Sequence, residues 1–286
     1  MIWHLGVIGG SGLAEGFDLD DAQEIAVSSP FGTPSGPVIT GKIAGKRVTF
    51  IARHGKGHRL TPSSVDYRAN IDVLKRCGVT DVLSLSAIGS LTEDMAPGHF
   101  VAVDQFIDRT QDRRGSFFGE GLVAHVSLAD PVCSRLSKLA ADAAEASGAT
   151  VHRGGCYIAI EGPQFSTRAE SRMYRQWGAQ VIGMTAMPEA RLAREAELPY
   201  AVLGMVTDYD CWRDGEAVGA SEVFAVMKTN AALARETVRN LVASLPKKRS
   251  ASPVDRALDG AIVTAAGARD GKLAATLDAV AGRVLR

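Results

Sequence analysis

Two aspartates one residue apart, Asp208 and Asp210, follow the apolar stretch 201–206 in the run Thr207-Asp208-Tyr209-Asp210. This places two carboxyl groups at the C-terminal end of a buried strand, where open α/β sheets set out their ligand chemistry. Buried carboxylates need partners, because an unpaired charge is costly to desolvate. A base with ring N–H and exocyclic amino groups is one such partner; capping of the next turn is the plainer use of Thr207-Asp208. Four further stretches bear on whether a nucleoside site exists. Gly9-Gly10-Ser11-Gly12 lets backbone N–H groups and the Ser11 hydroxyl approach an oxyanion, or simply turns the chain. It lacks both the G-x-G-x-x-G spacing of dinucleotide sites and the lysine of a P-loop. In Arg53-His54-Gly55 the arginine presents a fork matched to phosphate and His54 can donate beside it; a surface arginine and a loop histidine are the alternative. His54 and His58 have the spacing of a zinc pair, but Gly55 and Gly57 oppose a helix there and the H-E-x-x-H glutamate is missing, so no metal is expected. The run 84–90 ends a strand in small polar residues that can turn N–H groups into a crevice. The run 161–168, EGPQFSTR, leads a strand into a helix capped by Ser166 or Thr167 with Glu170 reaching back. Its functional reading lays Phe165 over a purine face, with Ser166 at the base edge.

The elements that must position these residues alternate along the chain. Strands are expected over 2–8, 38–43, 47–52, 79–85, 150–160, 181–184 and 199–206, with a hairpin at Ala44-Gly45-Lys46. Helices are expected over 66–77, 131–147, 168–177, 188–195 and 221–245; Gly78 and Gly148 stop the first two. The run 79–85 is almost continuously apolar, as in a strand covered on both faces. The polar, basic stretch 246–253 predicts a loop or linker, and 272–284 a terminal helix. The tail is too short for a second domain, so residues 1–245 form the core, and 246–286 a linker and a C-terminal helix docking on that core or on a neighbouring subunit.

Composition narrows the partners. The 286 residues are 46% apolar and 22% charged, with 32 basic and 32 acidic side chains. A zero net charge gives no electrostatic case for nucleic acid or an anionic membrane, so any phosphate site must be local. No apolar run approaches the roughly 20 residues that span a bilayer. Met1-Ile2-Trp3-His4 does not open a signal peptide. Cys77, Cys133, Cys156 and Cys211 form no C-x-x-C pair, which suits a cytoplasmic protein without disulfides.

The stretches IGGSGL (8–13), SPFGTPSG (29–36), ARHGKGH (52–58), VDYRANI (65–71), SAIGSL (86–91), EGPQFSTRAES (161–171), MTAMPEARLAREAEL (184–198) and TDYDCW (207–212) carry a resemblance. In order and over about four-fifths of the chain, they resemble the trimeric purine nucleoside phosphorylase superfamily, and within it the methylthioadenosine phosphorylases. The resemblance implies a single α/β domain: a twisted mixed sheet, a distorted barrel, surrounded by helices. It implies phosphorolysis, in which inorganic phosphate attacks C1′ of a purine nucleoside through an oxocarbenium-like transition state and the base departs. Phosphate is then a co-substrate, and no cofactor is implied. By position, Ser11, Arg53, His54, the Ala87 N–H and Thr185 hold phosphate, and Met184 lies under the ribose. Phe165 and Ser166 flank the base, Asp208 stabilises it at N7, and Asp210 completes recognition of a 6-amino group. His125 resembles the histidine that reaches a neighbour's 5′ substituent, near Leu273 of the C-terminal helix. That sharing implies a homotrimer.

Some positions depart from the pattern. Gly183 stands where many methylthioadenosine phosphorylases carry Asn, and Gly183-Met184-Thr185 resembles the 6-oxopurine or methylthioinosine branch. Ser11 replaces a common Thr, Gln164 a common Arg, and Pro199 a frequent Cys; Ser250-Ala251-Ser252 occupies the place of a C-x-C pair. The aspartates favour adenine, because a carboxylate accepts from a 6-amino group but meets a 6-oxo group lone pair to lone pair. Relatives acting on 6-oxopurines carry Asn where this chain has Asp208. Asp208→Asn is therefore expected to raise the barrier for an adenine nucleoside by about 2–4 kcal/mol and to shift preference towards 6-oxopurines. Parallel rates of adenine and hypoxanthine release check this; an unchanged ratio removes Asp208 from the base site.

Overall fold

The computed structural model describes residues 2–10, 13, 17–213 and 219–285. Its centre is β5 (Asp81–Ser90), a ten-residue strand that pairs in parallel with β1 (His4–Gly9) on one edge and β11 (Tyr200–Asp208) on the other. Beyond β1 lie β4 (Lys46–Ala52), β3 (Val38–Ile43) and β2 (Asp20–Ile25). β1 runs alongside β5 only as far as the pair Gly9–Leu85. The same edge is taken up again by β10 (Val181–Gly183), antiparallel, at Gly89 and Ser90. β9 (Cys156–Ile160) and β7 (Gln105–Arg109) continue from β10, while β6 (Phe100–Ala102) and β8 (Val151–Arg153) extend from β11. The sheet is mixed, as expected; among the described residues it branches at β5 and does not close into a barrel. Between its two partners, that edge of β5 is left without a strand at Ser86, Ala87 and Ile88.

The alternation of side chains explains the unbroken apolar runs. Leu5 and Val7 of β1, Leu83 and Leu85 of β5, and Ala201, Leu203 and Met205 of β11 join one core with α2 (Ser134–Ala146) and α5 (Ala220–Ser244). Ile8, Val82, Ile88, Tyr200, Val202 and Val206 point the other way, into a core with α1 (Tyr67–Arg76) and α4 (Ala186–Glu195). Helix ends follow their local signals. The Asp66 side chain accepts from Ala69 N–H at the start of α1, and Gly78 and Gly148 take positive φ beyond α1 and α2. Thr167 caps α3 (Arg168–Gln176) in a capping box with Glu170.

Several expectations are corrected. The strand expected over 150–160 is two, β8 and β9, because Gly154 and Gly155 take φ values of +95° and +148° between them. The terminal helix expected over 272–284 is also two pieces, α6 (Gly271–Thr276) and α7 (Gly282–Leu285). Leu277, Val280 and Ala281 between and beside them are buried in the α1–α4 core of their own chain. The stretch 246–253 is anchored as well. Arg249 is buried against Asp81 and Asp255, and Ser252 caps a 3₁₀ turn at Pro253–Arg256. β2, β6 and β7 carried no strand signal strong enough to find: β2 is exposed and charged, and β6 is only three residues long.

Candidate functional site

The gap on the β5 edge opens into a cavity of about 410 Å³. Arg53, His54, Ala87, Phe165, Ser166, Met184, Thr185, Asp208 and Asp210, nine of the residues expected at the site, line this single cavity. Ser11 lies outside the described residues. His125 is exposed and lies apart from the cavity lining. Its N–H donates to Ala261, and neighbouring backbone bonds join Val123 to Val263 and Gly121 to Asp270, so its loop and the C-terminal segment form one unit.

One end of the cavity rests on a buried guanidinium. Arg53, 1% exposed, follows β4, and its N–H donates to Gly9 C=O. Its Nε donates to Glu189 Oε2 at 2.8 Å, Nη2 to Glu189 Oε1 at 3.0 Å and to Ser84 Oγ at 2.6 Å, and Nη1 to Leu85 C=O at 3.2 Å. Glu189 also accepts from the Ser84 and Tyr200 hydroxyls, each at 2.7 Å. Burial works against the Arg53 charge, and Glu189 more than restores it. The fork is thus turned on Glu189 rather than on the cavity, and one Nη1 N–H remains of the five a guanidinium carries. Gly10 makes room for that group: a Cβ there would stand 3.0 Å from Nη1 and 2.7 Å from Leu85 C=O.

His54 is also constrained more narrowly than its sequence context suggested. Its Nδ1 lies 2.9 Å from Leu60 C=O, and a carbonyl can only accept, so Nδ1 carries the hydrogen. Burial, then the Arg53 charge and the neighbouring His58, hold its pKa down to about 3. The ring is neutral at physiological pH, and Nε2 is therefore an acceptor, not the second donor that was expected. The His58 ring stacks on it with centroids 4.2 Å apart.

The other end of the cavity holds the carboxyl pair. A register shift between Val206 and Asp208 sets Asp208 opposite Gly89. A Cβ at Gly89 would lie 2.9 Å from Asp208 Oδ1, so glycine makes this approach possible. The Thr207 hydroxyl lies 2.6 Å from Asp208 Oδ2 and 3.1 Å from Ile88 C=O. One hydroxyl proton cannot serve two acceptors; a protonated Asp208 donating to Thr207 satisfies all three groups. Burial raises the pKa of Asp208, in the direction this count requires. Asp210, at φ +51°, donates its N–H to Asp208 Oδ1 at 2.8 Å; burial raises its pKa too. Asp210 Oδ2 and Ser166 Oγ are buried without a protein partner, so the cavity keeps polar atoms for a ligand. Phe165, 46% exposed, stands at the mouth. Val223, Phe224 and Met227 of α5 add an apolar wall.

Of the supporting residues, sequence reasoning reached only Ser84, in the run 84–90. Glu189, Ser84 and Tyr200 lie beneath Arg53, and buried Arg113 donates to the carbonyls of Met184, Met187 and Glu161. Glu189 had one signal: a carboxylate among the apolar residues of α4, all buried from Ala186 to Ala190. Arg113 had none, since its loop has no periodicity. Among the described residues, no group of three His, Cys, Asp or Glu side chains is placed to hold a metal ion, and no helix is long and apolar enough to cross a membrane.

Two outcomes follow. Glu189→Ala leaves a buried guanidinium unpaired and should cost about 3–5 kcal/mol in urea unfolding; a loss under 1 kcal/mol would show that water or another group replaces the carboxylate. For Asp208 the sign runs against stability at neutral pH. A carboxyl with a raised folded pKa contributes most below its unfolded pKa, about 3.9, and loses that contribution as pH rises through its folded pKa. Asp208→Asn should therefore melt above the wild type at pH 7.5, with the gap closing as pH falls towards about 4; a lower melting temperature at pH 7.5 would contradict the assignment.

A phosphorylase superfamily model matches residues 4–244. An S-methyl-5′-thioadenosine phosphorylase of Cereibacter sphaeroides is 57% identical, over 99% of this chain and 98% of that one. The enzyme of the same name from Bradyrhizobium diazoefficiens is 55% identical with the same coverage. Among solved structures, a methylthioadenosine phosphorylase from an Antarctic soil metagenomic library superposes with a TM-score of 0.92 at 43% identity, covering 98% of this chain and 99% of that one. The Schistosoma mansoni methylthioadenosine phosphorylase in complex with adenine superposes at 0.79 with 35% identity, over 84% of this chain and 91% of its own. With the two-ended cavity, these likenesses establish that the chain belongs to the phosphorylase superfamily.

Proposed function

We propose that this chain catalyses phosphorolysis of S-methyl-5′-thioadenosine to adenine and 5-methylthioribose 1-phosphate, a step of methionine and purine salvage. The observation that carries the reading is the pairing, in one cavity, of a carboxyl end at Asp208 and Asp210 with an end lined by Arg53, His54, Ala87 and Thr185. Relatives over 50% identical along nearly the whole chain bear the name of this activity.

Phosphate oxygen attacks C1′ as the C1′–N9 bond breaks, and the electron pair leaves with the base. The Ala87 N–H on the unpaired β5 edge, the remaining Arg53 N–H, Thr185 and, by resemblance, Ser11 hold the phosphate. Neutral His54 accepts from the P–OH of monohydrogen phosphate, which fixes that oxygen away from the attacking one. Met184 lies under the ribose and Phe165 over the purine. With nucleoside bound, protonated Asp208 turns its O–H from Thr207 to N7, a hydrogen bond that strengthens as charge builds on the base. Asp210 and Ser166 meet the 6-amino edge. The apolar wall of α5 favours a methylthio group over a hydroxyl at C5′. His125 and the region of Leu273 serve a neighbour's 5′ pocket in a cytoplasmic homotrimer, and phosphate is the only co-substrate. A second reading, phosphorolysis of methylthioinosine or of 6-oxopurine nucleosides, rests on Gly183.

The test is cleavage of methylthioadenosine, methylthioinosine, adenosine and inosine side by side in phosphate. The expected outcome is fastest release of adenine from methylthioadenosine. Faster release of hypoxanthine from either inosine nucleoside would replace this reading with the second.

A further inference from the structure

Gly183 ends β10 on the cavity wall, between the base end and the Met184-Thr185 turn. Its neighbour across the sheet interior is Tyr157 of β9, fully buried and packed edge-on against Phe106 with ring centroids 5.7 Å apart. A Cβ on Gly183 would overlap the Tyr157 hydroxyl outright and stand 2.6 Å from Cζ and 3.1 Å from Cε2. No φ constraint applies to Gly183; the tyrosine alone forbids a side chain there. The hydroxyl has a second contact, accepting from the Thr185 N–H at 3.3 Å. The phenol therefore fills the volume a side chain at 183 would occupy and holds the backbone of the residue that faces phosphate.

We propose that Tyr157 is a positioning residue for the phosphate end of the cavity, and that Gly183 is a glycine because of Tyr157 and does not select the base. The inference rests on the phosphorolysis reading and deepens it. It removes the one departure that pointed to 6-oxopurines, since the missing side chain is accounted for by packing from behind the wall.

The experiment compares wild type, Tyr157→Phe, Gly183→Ala and the double variant Tyr157→Leu/Gly183→Ala, with phosphate varied at saturating nucleoside. Tyr157→Phe keeps the ring and loses only the hydrogen bond, so KM for phosphate should rise about threefold to tenfold, with the adenine-to-hypoxanthine ratio unchanged. Gly183→Ala should lower kcat/KM at least about thirtyfold, the scale of overpacking a tight interior. Leucine does not reach the three clashing atoms, so the double variant should recover at least about tenfold of that loss, a coupling expected only of residues in contact. An unchanged KM for phosphate in Tyr157→Phe, full activity in Gly183→Ala, no recovery in the double variant, or a shift towards hypoxanthine in any of them would overturn the proposal. Wild-type turnover keeps the tests separate: if wild type releases adenine with phosphate, the phosphorolysis reading stands whatever the variants do.

Discussion

A guanidinium that is 1% exposed beneath a polar cavity is the constraint on which the rest of this site depends. Such a charge is tolerable only if a carboxylate and enough acceptors surround it. Arg53 therefore draws Glu189 from α4, Ser84 from β5 and Tyr200 from β11 into one cluster. Three regions distant in sequence, the end of β4, β5 and the consecutive pair α4 and β11, are fixed to each other at one point. Glu189 lies in the helix that begins just after Thr185, so the same cluster also sets where that residue stands. The pair is close to neutral as a unit. What it offers the cavity is one directed N–H rather than a field, in keeping with a chain of zero net charge.

The second constraint is topological. β5 exchanges one neighbour for another along a single edge, and Ala87, midway between the partners, has no strand bonded to it on that edge. A ligand placed there completes the sheet edge with its own oxygens. Glycines at positions 10 and 89 bring the guanidinium from one side and the Asp208 carboxyl from the other up to this opening. The two ends of the cavity use opposite devices. The Arg53 end is satisfied in advance by internal ion pairing; the Asp208 end holds buried carboxyls and unpartnered oxygens that work against folding stability.

Much of this was legible in the sequence, and the limits have physical causes. The Asp208-Asp210 pair, the Arg53-His54 turn and the Phe165-Ser166 turn stood out because each ends a strand whose apolar period is plain. Nine named residues fall in one cavity. Composition and spacing could not show where the Arg53 fork points, because that depends on Glu189, 136 residues away in sequence. Nor could they show that His54 accepts, since its tautomer is set by the Leu60 carbonyl. Gly183 looked like a substrate determinant, but Tyr157, on the preceding strand of the chain, fills its space. The broken terminal helix reflects burial of Leu277 and Ala281, which tertiary packing imposes against a locally helical pattern.

The central claim is that the unpaired β5 edge and the Arg53 cluster hold a phosphate that attacks C1′. The measurement that tests it most directly is adenine release from methylthioadenosine as inorganic phosphate is raised from zero, with the sugar product identified. The account predicts no release without phosphate, saturation with rising phosphate, and one sugar 1-phosphate formed per adenine. Release at the same rate in phosphate-free buffer, with free methylthioribose as product, would make water the nucleophile and contradict it.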